Sequence, residues 1–245
     1  MSWPEGYARR ILPEIDSTNA EAARVATAGL AGPEWILGLR QTAGKGRRGR
    51  PWADQTGNFA ASLVLPAAGA PMQAALRSFV TALAVHDAFV AVTGRAEVFA
   101  LKWPNDVLLN GGKVAGILLE GLPGGALAIG IGINLVHAPS ASEVEARALR
   151  PVSLLSETGA EVSPEDYLTQ LAAAFARYEA SFTTFGFAPI REAWLARAAR
   201  LGEVITARTG QSETTGTFVD VDGSGNLVLQ TARSRVAIPA ADVFF

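Results

Sequence analysis

The chain has 245 residues, 49% of them apolar and 18% charged, and its 21 Lys and Arg nearly balance its 23 Asp and Glu. At that length about 70% of the extended-chain surface can be buried, enough for one large domain or for a large and a small one. The low charge fraction argues against disorder, and a net charge of −2 does not suit a surface that grips nucleic acid throughout, although a local basic patch stays open. There is no cysteine, which removes disulfides, a thiolate nucleophile and Cys-ligated metals; His86 and His137 are too few for a His-rich zinc site, so no protein-built metal site is expected. Met1 to Tyr7 lacks the basic cluster and apolar run of a signal peptide. The long uncharged stretches 55–76 and 121–142 are broken by Pro66, Pro71, Pro123 and Pro139, so no membrane span is expected and the chain reads as cytoplasmic.

In chain order, Arg10–Ile15 reads as a short strand and Asp16-Ser17-Thr18-Asn19 opens an Ala-rich helix, with Thr18 and Glu21 placed as a capping box. Trp35–Gln41 is a strand running into a Gly/Arg loop. Phe59–Leu65 is another, followed after Pro71 by a helix over 72–93. Glu97–Trp103 alternates and reads as extended. Val107–Leu109, the turn Asn110-Gly111-Gly112 and Lys113–Glu120 form a hairpin, since Asn-Gly is the strongest short hairpin signal. Ala126–Leu135 is a Gly-punctuated strand and residues 136–152 a loop. Ser163-Pro164 starts a helix with Leu168, Leu171, Phe175 and Tyr178 on one face, and a second helix around Trp194 runs to near Gly202. From Val204 short alternating strands follow, at 204–208, 215–221, 227–230 and 236–238, with Asp222-Gly223-Ser224-Gly225 as a turn. This predicts an α+β body over 1–200 and a small β domain over 201–245.

The most unusual segment is Gly44-Lys45-Gly46-Arg47-Arg48-Gly49-Arg50, four cations and three glycines in seven residues. Glycines let backbone N–H groups approach a ligand and the cations supply fixed charge, so the loop suits a carboxylate or a phosphate. A solvated basic loop without a ligand is the plainer alternative. The glycine spacing also satisfies the dinucleotide fingerprint, but that fingerprint needs a helix to start there, and Pro51-Trp52 and Asn58-Phe59 read as extended. The second segment is Lys102-Trp103-Pro104-Asn105-Asp106: Pro104 ends the strand, and the following hairpin brings Lys113 back towards Asp106. An ordinary surface hairpin fits the same residues. At Asp16-Ser17-Thr18-Asn19, helix capping is the plain reading and polar contact with a neutral ligand the functional one. At Gly130-Ile131-Gly132-Ile133-Asn134 the glycines indicate close packing on the strand, and the Asn134 amide has the donor and acceptor to pair with a base edge.

In this order and spacing, these four segments resemble the bacterial biotin protein ligases in their short form, over about residues 10–135, and the β-rich tail resembles that family's SH3-like C-terminal domain. The resemblance implies an α+β fold, a mixed β-sheet flanked by helices as in class II synthetases, with a small C-terminal SH3-like β-barrel. It implies ATP-dependent activation of biotin as biotinyl-5'-AMP and transfer to a lysine of a biotin carboxyl carrier domain of acetyl-CoA carboxylase. Biotin would meet Ser17, Thr18, Asn19, Gln41, Lys45, Gly46, Arg47, Lys113 and Gly116. ATP would meet Arg47, Arg48, Trp52, Asn105, Lys113 and Asn134. Lys113, Arg47 and Asp106 would serve catalysis, Asp106 either as proton acceptor or only as the carboxylate that holds Lys113. Mg²⁺ would ride on the phosphates. Only about nine residues precede the first predicted strand, too few for the helix-turn-helix of some family members, so no DNA partner is expected; whether the chain is a homodimer stays open. The apolar ending 240–245 carries no assigned part in ATP binding. The alternatives are a lipoate–protein ligase and, from a different class, a nucleic-acid-binding module using Lys45 to Arg50 on phosphates.

Overall fold

A computed structural model describes residues 2–52, 56–66, 68–140, 149–210 and 212–245. The elements in the body are β1 (Ala8–Leu12), α1 (Thr18–Ala28), β2 (Glu34–Gly38), β3 (Phe59–Leu65), α2 (Pro71–Thr93), β4 (Phe99–Lys102), β5 (Asp106–Leu109), β6 (Gly112–Gly121), β7 (Leu127–Ile133), α3 (Leu154–Thr158), α4 (Pro164–Phe185) and α5 (Phe187–Leu195). Seven strands form one sheet in the order β1-β2-β3-β7-β6-β5-β4, parallel only at β1–β2, so the sheet is mixed.

Strand alternation sorts the sheet into two faces. Phe59, Ala61, Leu63 and Leu65 of β3, with Ile129, Ile131 and Ile133 of β7, join the cluster that also contains Leu83 and Phe89 of α2 and Leu171 and Phe175 of α4. Trp35 meets Phe175 edge-on at 5.8 Å between ring centroids, and Tyr167 sits 5.3 Å from Phe59. The opposite face takes α1, whose Ala22 and Val25 pack on Ile36, Val64 and Ala128. Helix α2 is long and apolar enough to cross a membrane, yet most of it is buried inside this fold. Both faces of β3 are covered, which is why its sequence is a continuous apolar run broken only by Ser62.

Residues 204–244 make a five-stranded antiparallel sheet from β8 (Val204–Arg208), β9 (Glu213–Val221), β10 (Leu227–Gln230), β11 (Arg235–Ile238) and β12 (Asp242–Phe244), in the order β11-β10-β9-β8-β12. Its Phe218, Val221, Leu227 and Val243 belong to the same apolar cluster as the body. Two polar ties reinforce the contact: Trp103 Nε1 donates to the Gly225 carbonyl at 3.0 Å, and Arg191 chelates Asp220.

Several expectations move. The first strand runs over 8–12 rather than 10–15, because Pro13 has no N–H to continue the ladder; Ile15 keeps a single bridge to Gln41. The capping box does not form: Ser17 occupies the N-cap without a side-chain bond, Thr18 turns to Gln41 and Ser62, and Glu21 pairs with Arg10 and Arg24. The helix around Trp194 stops at Leu195, since residues 197–199 run beside β4 and exchange backbone bonds with Leu101. Helix α3 and strand β12 were not expected; five and three residues are too short to show a period. The Gly/Arg loop makes one 3₁₀ turn at Arg47–Gly49 and no helix, so the dinucleotide alternative falls. The Asn-Gly hairpin forms as expected, with φ of 48° at Asn110 and 77° at Gly111, both in the left-handed region.

Candidate active site

On the face that carries α1, cross-strand pairing lines up one row across five strands: Ala60, Gly132, Gly116, Asp106 and Lys102. The next row is Ser62, Gly130 and Leu118. Small residues in these rows leave a trough, and it opens into a cavity of about 660 Å³. The trough has a polar end and a charged end.

At the polar end, the Thr18 N–H and hydroxyl both donate to Gln41 Oε1, at 2.8 and 3.2 Å. Ser62, fully buried, lies 2.8 Å from Thr18 Oγ1 and 2.5 Å from Asn19 Oδ1, and Asn19 Nδ2 donates to Glu120 at 2.5 Å. The space above Gly130 is taken by Asn19, whose Oδ1 would stand 2.4 Å from an added Cβ. Asp16 stays outside and accepts from the Ser17 N–H and from Arg24; those bonds, Arg24 first, hold its carboxyl down to about 2.

At the charged end, Lys113 Nζ lies 2.6 Å from Asp106 Oδ1, and Lys102 Nζ 3.7 Å from its Oδ2. In a regular strand Lys113 and Gly116 would face opposite ways. A bulge opposite Val107 and Leu108 inserts one extra residue into β6 and changes the parity, so Lys113 arrives over the Gly116 face. The Gly/Arg loop covers this end through Lys45, Gly46, Arg50 and Trp52. The Trp52 indole lies on Gly132, where a Cβ would come within 2.4 Å of the ring, and its buried Nε1 has no hydrogen-bond partner among the described residues.

Of the expected residues, Ser17, Thr18, Asn19, Gln41, Lys45, Gly46, Trp52, Asn105, Asp106, Lys113, Gly116 and Asn134 all line the one cavity. Asn105 is pinned to β6 by its amide donating to the Ile117 carbonyl at 2.6 Å, and buried Asn134 donates to Val152 at 3.1 Å. Arg48 is not on the wall; it turns to Asp242. The side chain of Arg47 lies outside the described residues. Sequence reasoning missed Ser62, Lys102 and Arg50 as site residues, and also Asp242 and Phe245 from the far end of the chain. For Lys102 the signal was present in Lys102-Trp103-Pro104-Asn105-Asp106, because residues pairing across a tight strand connection share a face.

Residues 12–135 match the biotin/lipoate A/B protein ligase family and residues 201–245 match the biotin protein ligase C-terminal domain. The chain belongs to the biotin/lipoate A/B protein ligase family. It is 56% identical over 239 residues to the biotin–acetyl-CoA-carboxylase ligase of Paracoccus denitrificans, covering 96% of this chain and 99% of that one. It is 28% identical over 234 residues to the bifunctional ligase/repressor BirA of Bacillus subtilis, covering 94% of this chain and 71% of BirA. Among solved structures, the biotin protein ligase of Aquifex aeolicus in complex with biotin and ATP superposes with a TM-score of 0.83 at 26% identity, over 96% of this chain and 98% of that one.

Proposed function

We propose that the trough is an adenylation site in which biotin lies with its bicyclic ring at the polar end and its carboxylate at Lys113. The enzyme is a ligase: it activates biotin with ATP and transfers it to a carrier lysine of acetyl-CoA carboxylase. The observation that carries the placement is the row Gly132, Gly116, Asp106, Lys102, which sets a bare strip of sheet beside a carboxylate held between two ammonium groups.

In the first half-reaction a carboxylate oxygen attacks the α-phosphorus of ATP, the bond to the β-phosphate breaks, and pyrophosphate leaves. Both reactants are anions, and at ~4 Å and an effective dielectric of ~20 each pair of unit charges repels by about 4 kcal/mol. Lys113 and Lys45, with Arg47 of the loop, offset that repulsion and stabilise charge growing on the phosphate. Ser17, Thr18, Asn19 and Gln41 hold the ureido ring and valeryl chain. Trp52, Asn105 and Asn134 hold the nucleotide, and Arg48 acts through the loop. The cavity carboxylates Asp106 and Asp242 are engaged by Lys113, Lys102, Arg48 and Arg50, and no cluster of metal-ligating side chains exists among the described residues. Mg²⁺ therefore enters as part of the nucleotide substrate, held by phosphate oxygens.

In the second half-reaction a neutral lysine amine attacks the acyl carbon, AMP departs, and the amine proton passes to Asp106. The Gly/Arg loop keeps water from the mixed anhydride. Residues 1–200 form the catalytic body and 201–245 an accessory domain, acting in the cytoplasm on a biotin carboxyl carrier protein; no DNA partner is proposed. Mass spectrometry of protein mixed with biotin and Mg-ATP tests the reading: biotinyl-adenylate must form, and an added carrier fragment must gain one biotinyl group. Preference for lipoate over biotin in pyrophosphate release would overturn the choice of acid.

A further inference from the structure

Asp242 opens the last strand, yet its side chain reaches a loop 194 residues away in sequence. Its Oδ2 lies 2.5 Å from Arg48 Nη1 and its Oδ1 4.0 Å from Arg50 Nη2. Asp242 is 14% exposed while Arg48 and Arg50 are 53% and 41% exposed, so the fixed member of the cluster is the carboxylate. It is fixed from behind by the pairing of Asp242 with Arg208 and of Val243 with Ala207, and by buried Val243.

Apart from this contact, the backbone bonds around the loop are at its base or within it. Thr42 and Ala43 donate to Ile15 and Asp16, Gly46 donates to Arg50 at 2.7 Å, and Trp52 donates to Gly44 at 3.0 Å. These backbone bonds shape the loop from its base, and at its tip the Arg48 side chain meets Asp242. At that tip Arg48 has φ 59°, a left-handed conformation that a side-chain-bearing residue keeps only where surrounding contacts hold it. The same C-terminal segment brings the Phe245 ring to 5.8 Å from Lys102 Nζ, so its two ends touch cations on both sides of the charged half of the cavity.

We infer that Asp242 is a positioning residue of the active site, which latches the Arg48–Arg50 tip to the C-terminal sheet so that Lys45, Gly46 and Trp52 stay on the cavity wall. The latch rests on the reading of the cavity as the adenylation site. Because Arg48 is half exposed, the bond corresponds to a factor of about three to five in the population of the held loop.

The test uses the full chain and six variants. In Asp242→Ala the KM for ATP rises about three- to fivefold, free biotinyl-adenylate escapes into solution, and trypsin cuts between Arg48 and Gly49 faster in the absence of any ligand, with an unchanged melting temperature. Asp242→Glu restores all three. The paired exchange of Arg48→Asp with Asp242→Arg recovers most of what either reversal alone loses. If Asp242→Ala does not fold, Arg48→Ala leaves β12 untouched and must show the same rise in KM and the same leak. Wild-type KM, leak and proteolysis in Asp242→Ala would overturn the latch, as would a paired exchange no better than its parts. Because the proteolysis needs no nucleotide, a wild-type chain that forms no adenylate would refute the adenylation reading separately from the latch.

Discussion

Replacing Lys113 by Ala removes the ammonium that stands 2.6 Å from Asp106. The side chain is 33% exposed, so the effective dielectric is that of a partly screened site, about 20, and a unit pair at ~4 Å is worth about 4 kcal/mol. At 1.4 kcal/mol per factor of ten, that is about 10³ in the rate of adenylate formation. The loss is compounded because Asp106 then faces the incoming carboxylate without the nearer of its two lysines, Lys102 standing farther off at 3.7 Å. The fold survives: the Lys113 backbone keeps its bonds to Arg150 at 2.9 Å and Val152 at 3.0 Å, and the side chain fills no core position. The assay is pyrophosphate release with saturating biotin and Mg-ATP, beside a thermal melt. Near-normal release from a folded Lys113→Ala protein would refute the claim that this ammonium brings the two anions together.

Three further outcomes are expected. Arg47→Gly leaks free biotinyl-adenylate, measured by chromatography of the filtrate; no rise above wild type would remove the water-excluding role of the loop. Asp106→Asn slows transfer to the carrier lysine by about 10² while slowing pyrophosphate release less, and equal losses in both half-reactions would leave Asp106 as no more than the holder of Lys113. Asp16 has a folded pKa lowered to about 2, so its stabilising contribution is present above its ordinary value near 3.8 and is lost as pH falls through the lowered one. Asp16→Asn is accordingly less stable than wild type at neutral pH, by a small amount because the pair with Arg24 is half exposed, and the gap closes towards pH 2; a gap constant across melts in that window would contradict the assignment.

Much of the site was legible because its parts are local. The Asn110-Gly111 turn dictates a hairpin, and the hairpin alone brings Lys113 back to Asp106. The glycines at 130 and 132 alternate with isoleucines that enter the core, so one face of β7 had to be bare. The trough's other requirements were hidden. Ser62 sits mid-strand in an apolar run and acquires its role only when β3 pairs with β7 beside α1. The bulge in β6 that sets Gly116 on the same face as Lys113 leaves no mark on composition or period.

Order and spacing of residues along the chain therefore determined the class of fold, the cation-rich loop and the carboxylate–lysine pair, since turns, alternation and proline breaks act over a few residues. Which row of the sheet those residues share, which way Arg48 and Arg50 point, and that a strand of three residues at the far end meets them were decided only by tertiary structure. Contacts such as Arg48 with Asp242 join segments whose separation carries no periodic signal, and only the packing of the two sheets against a common apolar core brings them within reach.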